Sequence, residues 1–219
     1  MLVMGKNAVR ELLKGTRKIF SVTVVESFQD KDLINEFKRR NLKVVTLSKK
    51  SFSSKFGEKA GGIVCECQDF EYKTIEELID KTKNHQESVV LILDNLEDPH
   101  NLGAILRSAD ATGCDGIIIP KNRSVEVNET VVKVSTGAYE HVDVCKVTNL
   151  NQTIEKLKEA GFWVIGLELT GTMDYKDADY SGKCCLVVGS EGKGISPLVQ
   201  KNCDLLVKIP MFGKVNSLN

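Results

Sequence analysis

A chain of 219 residues, with 30 basic and 30 acidic side chains, is long enough for one large domain or two modest ones with real cores. With 42% hydrophobic and 27% charged residues it has the composition of an ordinary globular protein, and no apolar run approaches the ~18–20 residues needed to span a bilayer. Charges interrupt the amino terminus, MLVMGKNAVRELLKGTRK, so no export signal is expected and the chain is read as cytoplasmic.

Residues 5–15 place Ala8, Val9, Leu12 and Leu13 on one helical stripe that ends at Gly15. A strand is expected over 19–25 and a helix over 31–41, with Leu33, Ile34 and Phe37 inward. Lys38, Arg39 and Arg40 close that helix, where cations suit its dipole. A strand over 44–47, a short helix or turn over 49–56 and a strand over 63–67 complete a β-α-β-α-β unit of 70 residues. This unit holds 14 Lys and Arg against 8 Asp and Glu, while residues 71–219 hold 16 against 22, so overall neutrality conceals a basic first part. Such an asymmetry suits contact with a polyanion, though a lysine-rich solvated surface would read the same way. Residues 1–70 contain no histidine and are read as a binding module.

The domain boundary is expected at residues 68–74, before a helix over 75–82 with Thr74 as N-cap and Glu77 at the capping-box spacing. Beyond it, apolar strands (89–93, 116–119, 142–147, 162–167, 184–188, 205–209) alternate with helices (101–112, 128–135, 150–160, 195–201). This pattern predicts an α/β domain over 71–219, a parallel sheet with helices on both faces. The seven cysteines include no CxxC pair and are read as buried, reduced thiols rather than disulfides or zinc ligands. Trp163 and His141 are read as packing residues, and His100 as a loop residue.

In parallel sheets ligands bind beyond the carboxyl ends of the strands, and three of these ends carry chemistry. After the first, Asp98-Pro99 makes a rigid turn, Asn101 is placed to cap the next helix, and Arg107 follows among small and apolar neighbours. An arginine there either pairs with a carboxylate or faces a phosphate. The second is Gly189-Ser-Glu191-Gly192-Lys-Gly194, which fits neither the dinucleotide fingerprint nor a P-loop. The third is Ile209-Pro-Met211-Phe-Gly213, followed by Ser217-Leu218-Asn219. Strands that stop at glycine let main chain approach a ligand closely.

In this order, the three segments resemble the three motifs of the SpoU branch of the SPOUT RNA ribose 2′-O-methyltransferases. The resemblance runs through Asp98-Pro99, Asn101, Gly103 and Arg107, then Gly189, Glu191, Gly192 and Gly194, then Ile209-Pro210-Met211, Gly213 and Ser217-Leu218-Asn219. Residues 1–70 are similar to the family's RNA-binding substrate domain, with Lys59-Ala-Gly-Gly62 where the family often has His-Gln-Gly. The resemblance implies a C-terminal trefoil knot that holds S-adenosylmethionine, with the cofactor on main chain at Gly189, Ile209 and Leu218, beside Thr170, Gly171, Glu191, Gly192 and Met211. It places Arg107, Asn101, Glu191, Ser217 and Asn219 around the target ribose. A guanidinium stays charged at ordinary pH, so Arg107 is expected to stabilise phosphate and alkoxide charge rather than act as the base. The implied substrate is structured RNA, a guanosine of 23S ribosomal RNA first and transfer RNA second, with DNA excluded because it lacks the 2′-hydroxyl. A non-catalytic RNA-binding protein of the same fold is the reading from another class. The family also implies a homodimer, no metal, and a helix after Ser217-Leu218-Asn219. As the sequence stops at Asn219, looser knot loops and weaker cofactor binding are expected.

Overall fold

The computed structural model describes residues 1–214; the calls on Ser217, Leu218 and Asn219 lie outside the described residues. The chain divides into two compact units: Met1–Glu71 with Gly103–Arg107 and Glu126–His141, and Tyr72–Leu102 with Ser108–Val125 and Val142–Asn219. In order, the elements are β1 (Leu2–Met4), α1 (Lys6–Lys14), β2 (Ile19–Val25), α2 (Lys31–Arg39), β3 (Val44–Leu47), α3 (Lys49–Phe56), β4 (Ile63–Cys67) and α4 (Ile75–Thr82). They continue with β5 (Ser88–Asp94), α5 (Pro99–Thr112), β6 (Gly116–Pro120), α6 (Glu129–Val134), β7 (Asp143–Val147), α7 (Leu150–Glu159) and β8 (Trp163–Leu167). The last are β9 (Met173–Asp174), β10 (Lys183–Gly189), α8 (Pro197–Asn202) and β11 (Leu205–Lys208).

The first unit is built on a four-stranded sheet, order β1-β4-β2-β3. Its first strand is absent from the sequence reading, because three residues are too few to show a period of two. Pairing with β4 is what makes them a strand. Helix α1 buries the predicted stripe of Ala8, Val9, Leu12 and Leu13. Helix α6 packs on β1, and Gly103 lets α5 approach it: a Cβ on Gly103 would lie 2.6 Å from the Cβ of Val134. Much of the unit's basic charge is neutralised internally. Arg10 pairs with Asp30 at 2.7 Å, Arg39 and Arg40 both pair with Glu36, and Arg17 pairs with Glu140. Arg17 also donates to the buried Tyr139 hydroxyl at 2.7 Å, and burial pushes that phenol's pKa up. His141 is an ion-pair partner of Glu11 at 3.0 Å rather than a packing residue. By contrast Lys43, Lys49 and Lys50 are exposed, with no ion-pair partner among the described residues.

The second unit is a seven-stranded sheet, order β7-β6-β5-β10-β8-β11-β9, with every pairing parallel. Ile75 and Leu78 of α4, Ile154 and Leu157 of α7 and Val199 of α8 cover one face. They meet alternate residues of the strands, among them Val90 and Ile92, Cys145 and Val147, Cys185 and Val187. Ile117, Ile118 and Ile119 are all fully buried, the mark of a strand covered on both sides. The capping box at Thr74 and Glu77 is present as predicted. Trp163, read as a core residue, is 52% exposed: it sits at the first position of β8, where the sheet's cover has thinned.

The strand order has one consequence that periodicity alone does not announce. Strand β11 enters between β8 and β9, which are consecutive along the chain. Residues 168–172 must therefore cross β11 to join its two neighbours. They do so in contact: Glu168 N–H donates to Val207 O at 2.9 Å, and a Cβ on Gly171 would overlap the Val207 carbonyl and the Lys208 nitrogen.

The cysteines are all free thiols, five buried and two, Cys114 and Cys203, partly exposed. Burial pushes Cys65 and Cys145 up to about 12, which holds them neutral at physiological pH.

Candidate functional site

Strand β10 stops at Gly189, and the six residues beyond it fold back tightly. Gly194 N–H donates to Ser190 O at 2.8 Å, and the two residues form an isolated antiparallel bridge. The turn closes this far only because Gly189 has no side chain: a Cβ there would overlap the Gly194 carbonyl and the Ile195 nitrogen. Gly194 itself has φ +64°, the left-handed region that glycine enters at no steric cost.

Two carboxylates hold this loop, and sequence reasoning singled out neither. Asp94 ends β5 opposite Gly189, is 4% exposed, and accepts the Ser196 N–H at 2.7 Å. Glu168 follows β8; its Oε2 accepts the Ile195 N–H at 3.0 Å and the Gln200 amide at 3.3 Å, while Oε1 accepts the Leu169 N–H at 3.0 Å. Hydrogen bonds to a charged group contribute about 1.5–3 kcal/mol each, so the loop is shaped in advance rather than by its ligand. The only signal in the sequence is an acid directly after an apolar run, which any strand-to-turn junction can show.

Around the loop lies a cavity of about 520 Å³, within the roughly 300–1,000 Å³ of small-molecule sites. Its lining comes from three strand ends: Leu167–Leu169 after β8, Val188–Gly194 after β10, and Ile209 and Met211 after β11. Five of the residues predicted to hold a cofactor are therefore brought together: Gly189, Glu191, Gly192, Ile209 and Met211. Thr170 and Gly171 are not in the lining; Glu168 and Leu169 of the same loop are, and the absent side chain of Gly171 makes room for β11. Leu218 lies outside the described residues. A Cβ on Gly192 would meet nothing within 4 Å and its φ is not left-handed, so no chain contact requires glycine there.

The polar end of the site joins two predicted catalytic residues ninety positions apart. Asn101 Nδ2 donates to Glu191 Oε1 at 2.9 Å. The sequence suggested Asn101 as the cap of α5, but Asp98 takes that role, accepting the His100 N–H at 2.7 Å ahead of Pro99. Capping from Asp98 leaves the Asn101 amide available for Glu191. The second carboxylate oxygen of Glu191 has no partner among the described residues, and Glu191 is exposed.

Arg107 lies six residues beyond Asn101 on α5, about 9 Å along the axis and about 120° around it. It is exposed and pairs with no carboxylate among the described residues. Of the two partners open to it in the sequence, the internal one is therefore not found among those residues. Ser217 and Asn219 lie outside them. Among the described residues, no group of three or more His, Cys, Asp or Glu side chains is placed to hold a metal ion.

Comparison with known proteins adds an independent line. The model of the SpoU rRNA Methylase family matches residues 88–219, and that described as RNA 2′-O ribose methyltransferase substrate binding matches residues 2–73. A Bacillus subtilis (strain 168) protein named as a candidate TrmH family tRNA/rRNA methyltransferase, YacO, is 42% identical over 221 residues, covering 99% of this chain and 89% of that protein. A Staphylococcus aureus (strain MSSA476) protein named as a candidate of the same family is 44% identical over 223 residues, covering 100% of this chain and 90% of that protein. Among solved structures, the AdoMet-bound rRNA methyltransferase of Sinorhizobium meliloti superposes with TM-score 0.82 at 25% identity, over 100% of this chain and 81% of that one. The SpoU methyltransferase AviRb of Streptomyces viridochromogenes, in complex with AdoMet, has the same fold, with TM-score 0.83 at 22% identity over 100% and 84% of the two chains.

Proposed function

Because the chain belongs to the SpoU rRNA methylase family, we propose that it transfers a methyl group from S-adenosylmethionine to a ribose 2′-hydroxyl of RNA. The substrate read first is a guanosine of 23S ribosomal RNA, with transfer RNA as the alternative. The observation that carries the reading is the Asn101–Glu191 contact at a cavity whose floor is main chain. Relatives named for tRNA or rRNA methylation, and AdoMet-bound structures of the same fold, support it.

The residues present fit the cofactor. The glycine-bearing turn from Gly189 to Gly194 offers backbone donors and acceptors to an adenine edge, while Leu167, Val188 and Ile209 offer apolar wall. Open space at Gly192 leaves room for the ligand to lie against the chain. When bound, S-adenosylmethionine supplies an electrophilic methyl on a sulfonium. The protein's own task is to hold a ribose hydroxyl in line with that methyl and to manage its proton. Glu191 has Oε1 fixed by Asn101, which turns Oε2 toward accepting a hydrogen bond from the hydroxyl. Arg107 stabilises the charge of the phosphate and of the developing alkoxide, with Ser217 and Asn219 completing the ribose site. On this reading residues 1–70 are the RNA-binding domain and residues 71–219 the catalytic one, with Lys43, Lys49 and Lys50 available to backbone phosphates. The crossing of residues 168–172 over β11 supports the trefoil knot. A cytoplasmic location follows from an RNA substrate; among the described residues no helix is long and apolar enough to cross a membrane.

The deciding experiment is transfer of tritiated methyl to total RNA. Label in ribosomal RNA, stable to alkali at one dinucleotide, is expected. Absence of label from protein that binds the cofactor would leave only the RNA-binding reading. A homodimer is proposed as well, because an apolar hollow of about 220 Å³ between Ile165, Leu186 and Val207, edged by the exposed Tyr175 and Tyr180, offers surface for a second copy. Sedimentation is expected to give twice the chain mass of 24.2 kDa; a monomer at micromolar concentration would rule this out.

A further inference from the structure

A second cavity, of about 470 Å³, opens in the same unit at the end of the sheet farthest from β9. It lies where β6 and β7 finish, between the first turns of α4 and α7, with residues 72–74 running beside β7 through a parallel bridge between Lys73 and Cys145. Four lysines line it, Lys73, Lys121, Lys146 and Lys156, against one acid, Glu76. Lys156 pairs with Glu76 at 2.6 Å, and Lys73 pairs with Glu77 at 3.4 Å. Lys146 lies over the Tyr72 ring at 5.1 Å. Lys121 is exposed and has no ion-pair partner among the described residues.

Gathering four ammonium groups into one hollow does the fold no service, since like charges repel and each would be better solvated apart. The helix ends do not bind the anion themselves. The Thr74 hydroxyl already accepts the Glu77 N–H, and Asn149 accepts those of Asn151 and Gln152. The ammonium groups supply the charge, and lysine is a point-charge binder of phosphate.

Because every strand is parallel, the carboxyl ends of β6 and β7 lie on the same edge of the sheet as Gly189. Three strand spacings separate β7 from β10, about 14 Å at roughly 4.8 Å each. At about 3.4 Å per stacked nucleotide, that corresponds to about four nucleotides of one strand.

We propose that the lysine-lined cavity binds a backbone phosphate of the same RNA strand whose target ribose lies at the Gly189–Glu191 cavity. The inference rests on the RNA methyltransferase reading and extends it. Contacts of this kind set position and register along the strand without reading sequence. The site therefore contributes to RNA affinity and not to the methyl-transfer step.

The test compares Lys121→Gln/Lys146→Gln with a matched control, Lys83→Gln/Lys183→Gln, whose charges lie at the amino end of β10. The cavity variant is expected to raise the KM for RNA about tenfold. It is also expected to flatten the dependence of log affinity on log salt by about 1.4, at about 0.7 per single-strand contact. Its kcat and S-adenosylmethionine affinity should stay within twofold of wild type, which also reports an intact fold. An unchanged KM and slope would overturn the proposal, as would an equal change in the control. Inorganic phosphate is the second probe. Saturable phosphate binding that the cavity variant loses, with RNA affinity unmoved, would assign the site to a free phosphorylated molecule and sink the RNA assignment. Should wild type bind RNA but methylate none, filter binding with the same variants still decides the phosphate site while the enzymatic reading fails alone.

Discussion

Replacing Gly189 with alanine is expected to weaken S-adenosylmethionine binding at least 100-fold, a loss of about 2.7 kcal/mol. The added methyl would fall on the Gly194 carbonyl and the Ile195 nitrogen, and neither can step aside. Gly194 is tied to Ser190, and Ile195 is tied to the Glu168 carboxylate. The loop would have to open and give up these bonds, taking with it the main-chain floor of the cavity. Calorimetric titration of the cofactor, with thermal melting alongside, checks this. The partner experiment is Gly192→Ala, where a Cβ meets no protein atom within 4 Å. Its melting temperature should be unchanged, so any lost affinity there reports a ligand contact rather than a damaged loop. Cofactor affinity of Gly189→Ala within threefold of wild type would mean that this turn is not the cofactor's floor.

Arg107→Ala is expected to lower kcat about 10²- to 10³-fold while cofactor affinity stays within a few-fold, the signature of losing a stabiliser of transition-state charge. Arg107 is exposed and pairs with no described carboxylate, so truncation leaves no buried partner behind and should not unfold α5. Arg107→Lys separates charge from geometry. It keeps a cation but loses the planar fork that grips two oxygens, and partial activity is the expected outcome. Single-turnover methyl transfer measures both variants. Activity of Arg107→Ala within tenfold of wild type would remove Arg107 from the catalytic set.

Much of this was legible in the sequence, for identifiable reasons. Apolar stripes announced α1, α4 and α7 because a helix face must repeat every three to four residues, and the Thr74–Glu77 capping box is encoded within four positions. Gly189, Glu191 and Gly192 stood out because glycines flank a single acid at a strand end. Strands β1 and β9 left no such trace. At three and two residues they owe their existence to a partner strand rather than to any pattern of their own. The asymmetry of charge was legible too, but not its distribution: Arg10, Arg17, Arg39 and Arg40 are committed to carboxylates within their unit.

By itself the sequence determined the alternation of strands and helices, the parallel sheet and the three loaded strand ends, since each depends on residues close together along the chain. Only the tertiary structure decided which distant groups meet. Asp98 takes the cap of α5 and releases Asn101 to Glu191; Asp94 and Glu168 brace a loop on another strand; β11 enters between two strands that are neighbours in sequence. A carboxylate after an apolar run has the same local appearance whether it ends in solvent or on a loop tens of residues away. What separates the two is the order of strands in the sheet, which is set by packing over the whole chain and carries no local period.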